Sequence, residues 1–339
     1  MNRRRDSKRL TDTTLQSCRK WPNHFLVMPS SGRTRVMFVD DEAGVLRALS
    51  SLFRRDRSRW DFVFAHGGSQ ALAELERAPF DVVVTDLHMP EIDGLAVANA
   101  VLARSPHTTR IMLSGGAEST AVLRALPLVH QFLAKPCEIK LVREAIERTA
   151  ADTSTDGSIA ARIGALRCLP SQPMRLAELR AARTLEQMIE IVERDPALAA
   201  KVLQIASSTY FDGGSETIPH AVATLGVDVM CELADSPMVR TPTGLCARVI
   251  DQITERAVQG ARLARRVAPA GQGDAAYVGT LLDAAGQLVL ADWLDEDYAA
   301  VLDRVTRTGE ALAEVEAEIV GVTHEAVGSR LRAIWALPV

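Results

Sequence analysis

Asp40 with Asp41, Asp86, Ser114 and Lys135 are four stations whose side chains, brought together, could handle a phosphoryl group. Moving such a group onto a carboxylate takes a nucleophile, a divalent cation to offset charge on the phosphate oxygens, and donors that hold those oxygens in line. Asp86 supplies the carboxylate. The adjacent pair Asp40 and Asp41 suits Mg2+, which takes oxygen ligands and keeps part of its water. Lys135, followed by Pro136, offers a positive charge, and Ser114 offers a hydroxyl to a phosphate oxygen.

Convergence of the four stations follows from the elements that carry them. RVMFV (35–39), FDVVVTD (80–86), RIMLS (110–114) and QFLA (131–134) lead up to the stations or end on them, and DFVFA (61–65) is a fifth run of the same kind. Short apolar runs rich in Val, Ile and Phe read as buried strands. Amphipathic stretches over 43–56, 69–78, 94–104, 118–126 and 138–150 read as helices between and after them. Strand then helix, five times, predicts a doubly wound parallel sheet of five strands with helices on both faces, and ligands of such sheets bind off the carboxyl ends of the strands. The stations lie at those ends.

The segments VDDE (39–42), VVVTDLHMPEIDG (82–94), LSGG (113–116) and FLAKP (132–136) resemble the receiver domain of two-component response regulators, over about residues 34–150. That resemblance implies a flavodoxin-like fold in which Asp86 accepts a phosphoryl group from a sensor histidine kinase or a phosphotransfer protein. It further implies Mg2+ held by Asp40, Asp41, Asp86 and the backbone carbonyl of His88, with Ser114 and Phe132 as a switch pair. Receivers of this kind often pair through the face made by their fourth helix, fifth strand and fifth helix, here 118–126, 131–134 and 138–150, so a homodimer is expected.

The stretch ADTSTDGS (151–158) is polar and contains glycine, and residues 151–159 read as a linker. Beyond it the strand signal stops. Leu185, Met188, Ile189 and Val192 repeat at helical spacing; Asp195 and Pro196 supply an N-cap and a first-turn residue for a helix carrying Leu198, Val202 and Ile205. Ile218-Pro219 opens another helix that Gly226 can close, and 249–267, 275–290, 296–308 and 310–334 continue in the same style. Residues 160–339 are therefore expected to be all helix.

LPSQPMRLAEL (169–179), DPALAAKVLQIASS (195–208), IPHAVATLG (218–226), VGTLLDAAGQLVL (278–290) and EIVGVTHEAVGSRLRAIWALP (318–338) resemble the HDOD family, a helical output module related to the metal-dependent HD phosphohydrolases. Residues 227–270 match it poorly. The hydrolases bind metal through an adjacent His-Asp pair, and the corresponding positions here are Asp283 and Ala284. Alanine cannot ligate. His220, in the first turn of a helix, and His324, a structural or surface histidine, are too few for the missing pocket, and the GYP signature of related phosphodiesterases is absent. The implied output is binding of an unidentified downstream protein. The alternative is a phosphorylation-regulated HD-type phosphohydrolase or cyclic-dinucleotide phosphodiesterase with an atypical site. Gly271-Gln272-Gly273 lacks a preceding strand and reads as a connection, and Arg262, Arg265 and Arg266 read as a solvated face or helix-end charge rather than a nucleic-acid contact. The last residue, Val339, closely follows IWALP, where family members usually continue into further helix; an open apolar groove or a shortened core is expected there.

Bulk properties bound these readings. At 339 residues, 47% hydrophobic and 24% charged, the chain has room for two globular domains, and no apolar run approaches the roughly 18 residues of a membrane span. Cys18, Cys137, Cys168, Cys231 and Cys246 form no CxxC pair, which suits a reducing cytoplasm. Lys and Arg outnumber Asp and Glu 8 to 2 over residues 1–34, whereas 160–339 carry 17 against 24. An acidic second half speaks against a DNA-binding output. Residues 1–33 read as a disordered basic extension, with Met28 an alternative start.

Overall fold

In the computed structural model, which describes residues 33–115, 125–136, 138–150, 157–208, 215–235 and 244–338, five parallel strands make one sheet. They are β1 (Thr34–Asp40), β2 (Trp60–His66), β3 (Val82–Asp86), β4 (Thr109–Ser114) and β5 (Gln131–Ala134), in the order β2-β1-β3-β4-β5. Successive side chains alternate between faces. Val36, Phe38, Val82, Val84, Ile111, Leu113 and Leu133 therefore share one core, which also takes in residues of α1 (Ala43–Leu52) and α4 (Ile139–Ala150). Met37, Val39 and Val83 point to the other face, with residues of α2 (Gly67–Arg77) and α3 (Gly94–Arg104). The register sets Asp86 beside Leu113 and Ser114 beside Ala134, so the stations meet at one end of the sheet.

Two expectations over this half are revised. The helix predicted over 43–56 stops at Leu52, because Phe53 turns inward to sit 5.2 Å from the Phe38 ring, and Arg54–Ser58 continue as a 3-10 turn. The helix predicted over 118–126 lies outside the described residues except for its last two. Of the expected linker, 151–156 also lie outside them, and helix α5 (Gly157–Gly164) already begins inside the stretch assigned to it.

The second half is built of helices joined by short connections over its described residues. It comprises α5, α6 (Pro173–Ala181), α7 (Leu185–Glu193), α8 (Pro196–Ala206), α9 (Ile218–Asp235), α10 (Gly244–Val267), α11 (Gly273–Leu294), α12 (Glu296–Thr308), α13 (Leu312–Ile319) and α14 (His324–Trp335). Asp195 caps α8, accepting from the Ala197 and Leu198 amides at 2.9 and 3.0 Å, and Ser171 donates to its other oxygen. Gly226 breaks α9 with φ 74, but a second helical piece follows it to Asp235. The single stretch expected over 310–334 is two helices, since Gly321 adopts φ 81 and Thr323 starts α14 by accepting from the Ala326 amide.

A single apolar cluster crosses from one half to the other. Leu87, Ala98, Met112, Val129 and Phe132 of the sheet half belong with Ile159 and Ile163 of α5 and with the buried faces of α8, α11 and α14. Helix α14 lies against α4, α5 and α11. Where α14 crosses α11, Gly286 has no room for a side chain: a Cβ there would collide with the His324 carbonyl. Among the described residues no helix is long and apolar enough to cross a membrane. Gly286→Ala is expected to destabilise the protein by about 1–3 kcal/mol, the usual cost of overpacking, read by chemical denaturation.

Candidate functional site

The site occupies four consecutive strands: Asp40 ends β1, Asp86 ends β3, Ser114 ends β4 and Lys135 follows β5. The Lys135 Nζ stands 2.8 Å from Asp40 Oδ2 and 2.9 Å from Asp86 Oδ1. The other Asp40 oxygen accepts from the Glu42 amide at 2.8 Å. Burial drives the Asp86 carboxyl above its ordinary value; the hydrogen bond and charge of Lys135 pull it back, and the neighbouring Asp40 charge pushes it up again. For Lys135, burial opposes the charged form, but hydrogen bonds to Asp40 and Asp86 outweigh it and raise the ammonium.

Ser114 is 1% exposed, and its Oγ has no hydrogen-bond partner among the described residues. A buried hydroxyl without a partner is costly, and at this position it is a donor waiting for an acceptor. Phe132 is buried in the cluster that contains Met112 and Leu87. Asp41 is partly buried and His88 exposed, and neither side chain bonds to Asp40, Asp86 or Lys135 among the described residues.

One residue that the sequence reading passed over matters here. Gly94 opens α3 close against Asp86: its amide donates to the Leu87 carbonyl at 3.0 Å, and a Cβ would collide with the Asp86 carbonyl. The signal was present as the glycine that closes PEIDG, but its reason is a close approach that only the fold creates.

Asp40, Asp41 and Asp86 set three carboxylates against the one ammonium of Lys135, an excess of two negative charges that one divalent cation would offset. All the donors are oxygens, so the set fits Mg2+ in chemistry and in charge. Asp40 and Asp86 converge on Lys135 whereas Asp41 stands apart. Accordingly, no group of three His, Cys, Asp or Glu among the described residues is already arranged around a metal position.

In the helical half, Asp283 is exposed and its carboxylate takes Arg332 Nη1 at 2.6 Å, while Ala284 is buried. His220 lies in the first turn of α9 with Nδ1 3.1 Å from Ser215 Oγ. His324 is the first residue of α14, and its Nδ1 is 2.6 Å from the fully buried Glu316, which also accepts from the Tyr298 hydroxyl at 2.6 Å. Each histidine is thus engaged locally. Arg265 is a helix-end charge, in the last turn of α10, but it is engaged: it pairs with Glu193 at 2.6 Å and with Asp274 at 3.0 Å, and covers the Tyr277 ring.

Two protein families match the chain, the response regulator receiver domain over residues 36–147 and the HDOD domain over residues 169–339. The transcriptional regulatory protein ZraR of Salmonella typhimurium is 26% identical over 156 residues, covering 44% of this chain and 34% of that protein. A protein-glutamate methylesterase/protein-glutamine glutaminase of Rhodospirillum rubrum is 35% identical over 127 residues, covering 36% of this chain and 34% of its own length. The chain therefore spans about a third of the length of these curated relatives. Among solved structures, the signal receiver domain of an HD domain-containing protein from Pseudomonas fluorescens is 25% identical with a TM-score of 0.33, covering 36% of this chain and all of that one.

A carboxyl whose folded value is raised stabilises the fold fully below its unfolded value, and that contribution is lost as pH climbs through the folded value. Asp86→Asn removes the loss. In buffer free of divalent cations its advantage in Tm over the parent protein should grow from about pH 4, near the ordinary value of 3.8, toward neutrality. Thermal melts across that range check this, and an advantage independent of pH contradicts the burial account.

Proposed function

The chain belongs to the HDOD domain family and carries a response regulator receiver domain ahead of that domain, and from this we propose that Asp86 accepts a phosphoryl group and that the helical half passes the change on by binding a downstream protein. The observation that carries the reading is the grouping of a buried carboxylate, an ammonium and an unpartnered hydroxyl at adjacent strand ends. The donor would be a phosphohistidine on a sensor kinase or a phosphotransfer protein.

In the proposed transfer, an Asp86 carboxylate oxygen attacks phosphorus, the P–N bond to the donor imidazole breaks, and the leaving nitrogen keeps the electron pair. Lys135, already bonded to Asp86, turns its charge to a phosphoryl oxygen. The Ser114 hydroxyl donates to another, which ends its unpartnered state. Mg2+, when bound by Asp40, Asp41, Asp86 and the His88 carbonyl, would offset negative charge on the transferring oxygens. Phe132 would serve as the second member of the switch, repacking as Ser114 engages.

For the helical half we propose recognition without catalysis. The position of the hydrolases' His-Asp pair holds an Asp283 tied to Arg332 and an Ala284 in the core, which supports that reading. Its acidic balance favours a protein partner over DNA. Helix α14 packs against α4, which follows the edge strand β5, so part of the face proposed for a homodimer is taken up within the chain.

With Mg2+ and a small phosphodonor such as acetyl phosphate, the protein should take up a hydroxylamine-sensitive phosphoryl label, and Asp86→Asn should take up none. Labelling of that variant at the parent level would sink the assignment. Lys135→Ala should slow labelling by about tenfold or more, the range expected when a charge-stabilising donor is removed.

A further inference from the structure

Strand β5 is four residues long and is one of the two edges of the sheet. Its carboxyl end runs into Lys135, whose main-chain amide donates to the Ser114 carbonyl at 2.6 Å. Its amino end is gripped by the helical half. His130, 2% exposed, accepts at Nδ1 from the Arg110 amide at 3.0 Å, so its proton sits on Nε2, which donates to the Gly164 carbonyl at the end of α5 at 2.9 Å. Arg110 Nη2 reaches the same carbonyl at 3.1 Å. The His130 carbonyl accepts from Gln204 Nε2 of α8 at 3.0 Å, and Gln131 Nε2 donates to the Ile334 carbonyl of α14 at 2.9 Å.

The grip is itself braced. Lys201 donates to Gln204 Oε1 at 2.9 Å, leaving the amide nitrogen to face His130, and lies over the Trp335 ring of α14 at 5.2 Å. Gly164 seats so closely that a Cβ would come within 2.8 Å of the His107 main chain. Phe132, between the two ends of β5, shares its apolar cluster with Ile159 and Ile163 of α5. Every cross-half bond named here joins a side chain to a buried main-chain carbonyl, so sliding β5 leaves polar groups unpaired in the core. From His130 to Lys135 the extended chain spans roughly 16 Å, a short and stiff lever between helices and pocket.

We infer that His130 and Gln131 are positioning residues for the Asp86 pocket, held in register from the helical half by Gly164, Gln204 and α14, so that filling the pocket and seating the helices are coupled in both directions. The inference rests on the phosphoryl-acceptor reading above. Coupling of this kind is reciprocal: what the pocket does to the helices, the helices do to the pocket by the same factor.

The test uses the full chain with Mg2+ and beryllofluoride as a phosphoryl mimic. Gln131→Ala and Gln204→Ala should each change the apparent beryllofluoride affinity by about fivefold or more, the lower range of such couplings. Thr184→Ala strips the cap of α7 and touches none of these residues, so it should stay within about twofold while costing comparable stability. In the parent protein, beryllofluoride should alter hydrogen exchange in α8 and α14. Affinities of the glutamine variants within about twofold of the parent overturn the inference, and so does unchanged exchange in α8 and α14, which needs no variant to fold. A parent protein that neither binds beryllofluoride nor takes a phosphoryl label overturns the phosphoryl-acceptor reading itself.

Discussion

Two carboxylates at the ends of neighbouring strands, Asp40 and Asp86, share one ammonium, and much of the first half exists to hold that arrangement. Both are buried, and the Asp40 charge adds to the burial that already opposes ionisation of Asp86. Lys135 offsets that cost from β5, with β4 lying between β5 and β3. A long side chain is needed to reach across, and Ser114, at the end of the strand it crosses, is left beneath with an unpartnered hydroxyl. The pocket is thus compact and underneutralised, which suits a cation and an anionic group arriving together.

The helical half is not a bead on a tether. Its core is continuous with the apolar layer under α3 and β5, and the cross-half bonds gather at His130, Gln131 and Gly164. Arg110 and Lys201, both about 2% exposed, are held mainly by main-chain carbonyls and an amide oxygen. Burial lowers Arg110 to about 9 and Lys201 to about 8. Buried cations satisfied in this way contribute little net stability but are costly to expose to mismatched neighbours, so they favour one relative placement of the two halves over many.

Much of this was legible along the chain. The five strands stand within two residues of the apolar runs, because a parallel sheet covered on both faces needs continuous apolar strands and advertises them. The Asp195 cap and the all-helical second half were equally readable, since caps and helical periodicity are local. Misreadings fell where a distant contact overrides local pattern. Phe53 ends α1 early because Phe38 lies under it, and the polar stretch after residue 150 gives way to α5 sooner than its composition suggests because Ile159 and Ile163 have a core to enter. Gly94 and Gly286 are demanded by atoms far away in sequence.

By itself, then, the sequence determined which residues could do chemistry and that Asp40, Asp86, Ser114 and Lys135 would fall at or just past the carboxyl ends of strands, since those positions follow from period and spacing. Tertiary structure decided what those residues face and what holds them. That Lys135 bridges Asp40 and Asp86, that Ser114 is left without a partner, and that β5 is gripped at its amino end by α5, α8 and α14 depend on the order of strands and the seating of helices. The physical reason is that burial and hydrogen-bond partnership are properties of neighbours in space, and periodicity along a chain says which face a residue takes without saying what lies across from it.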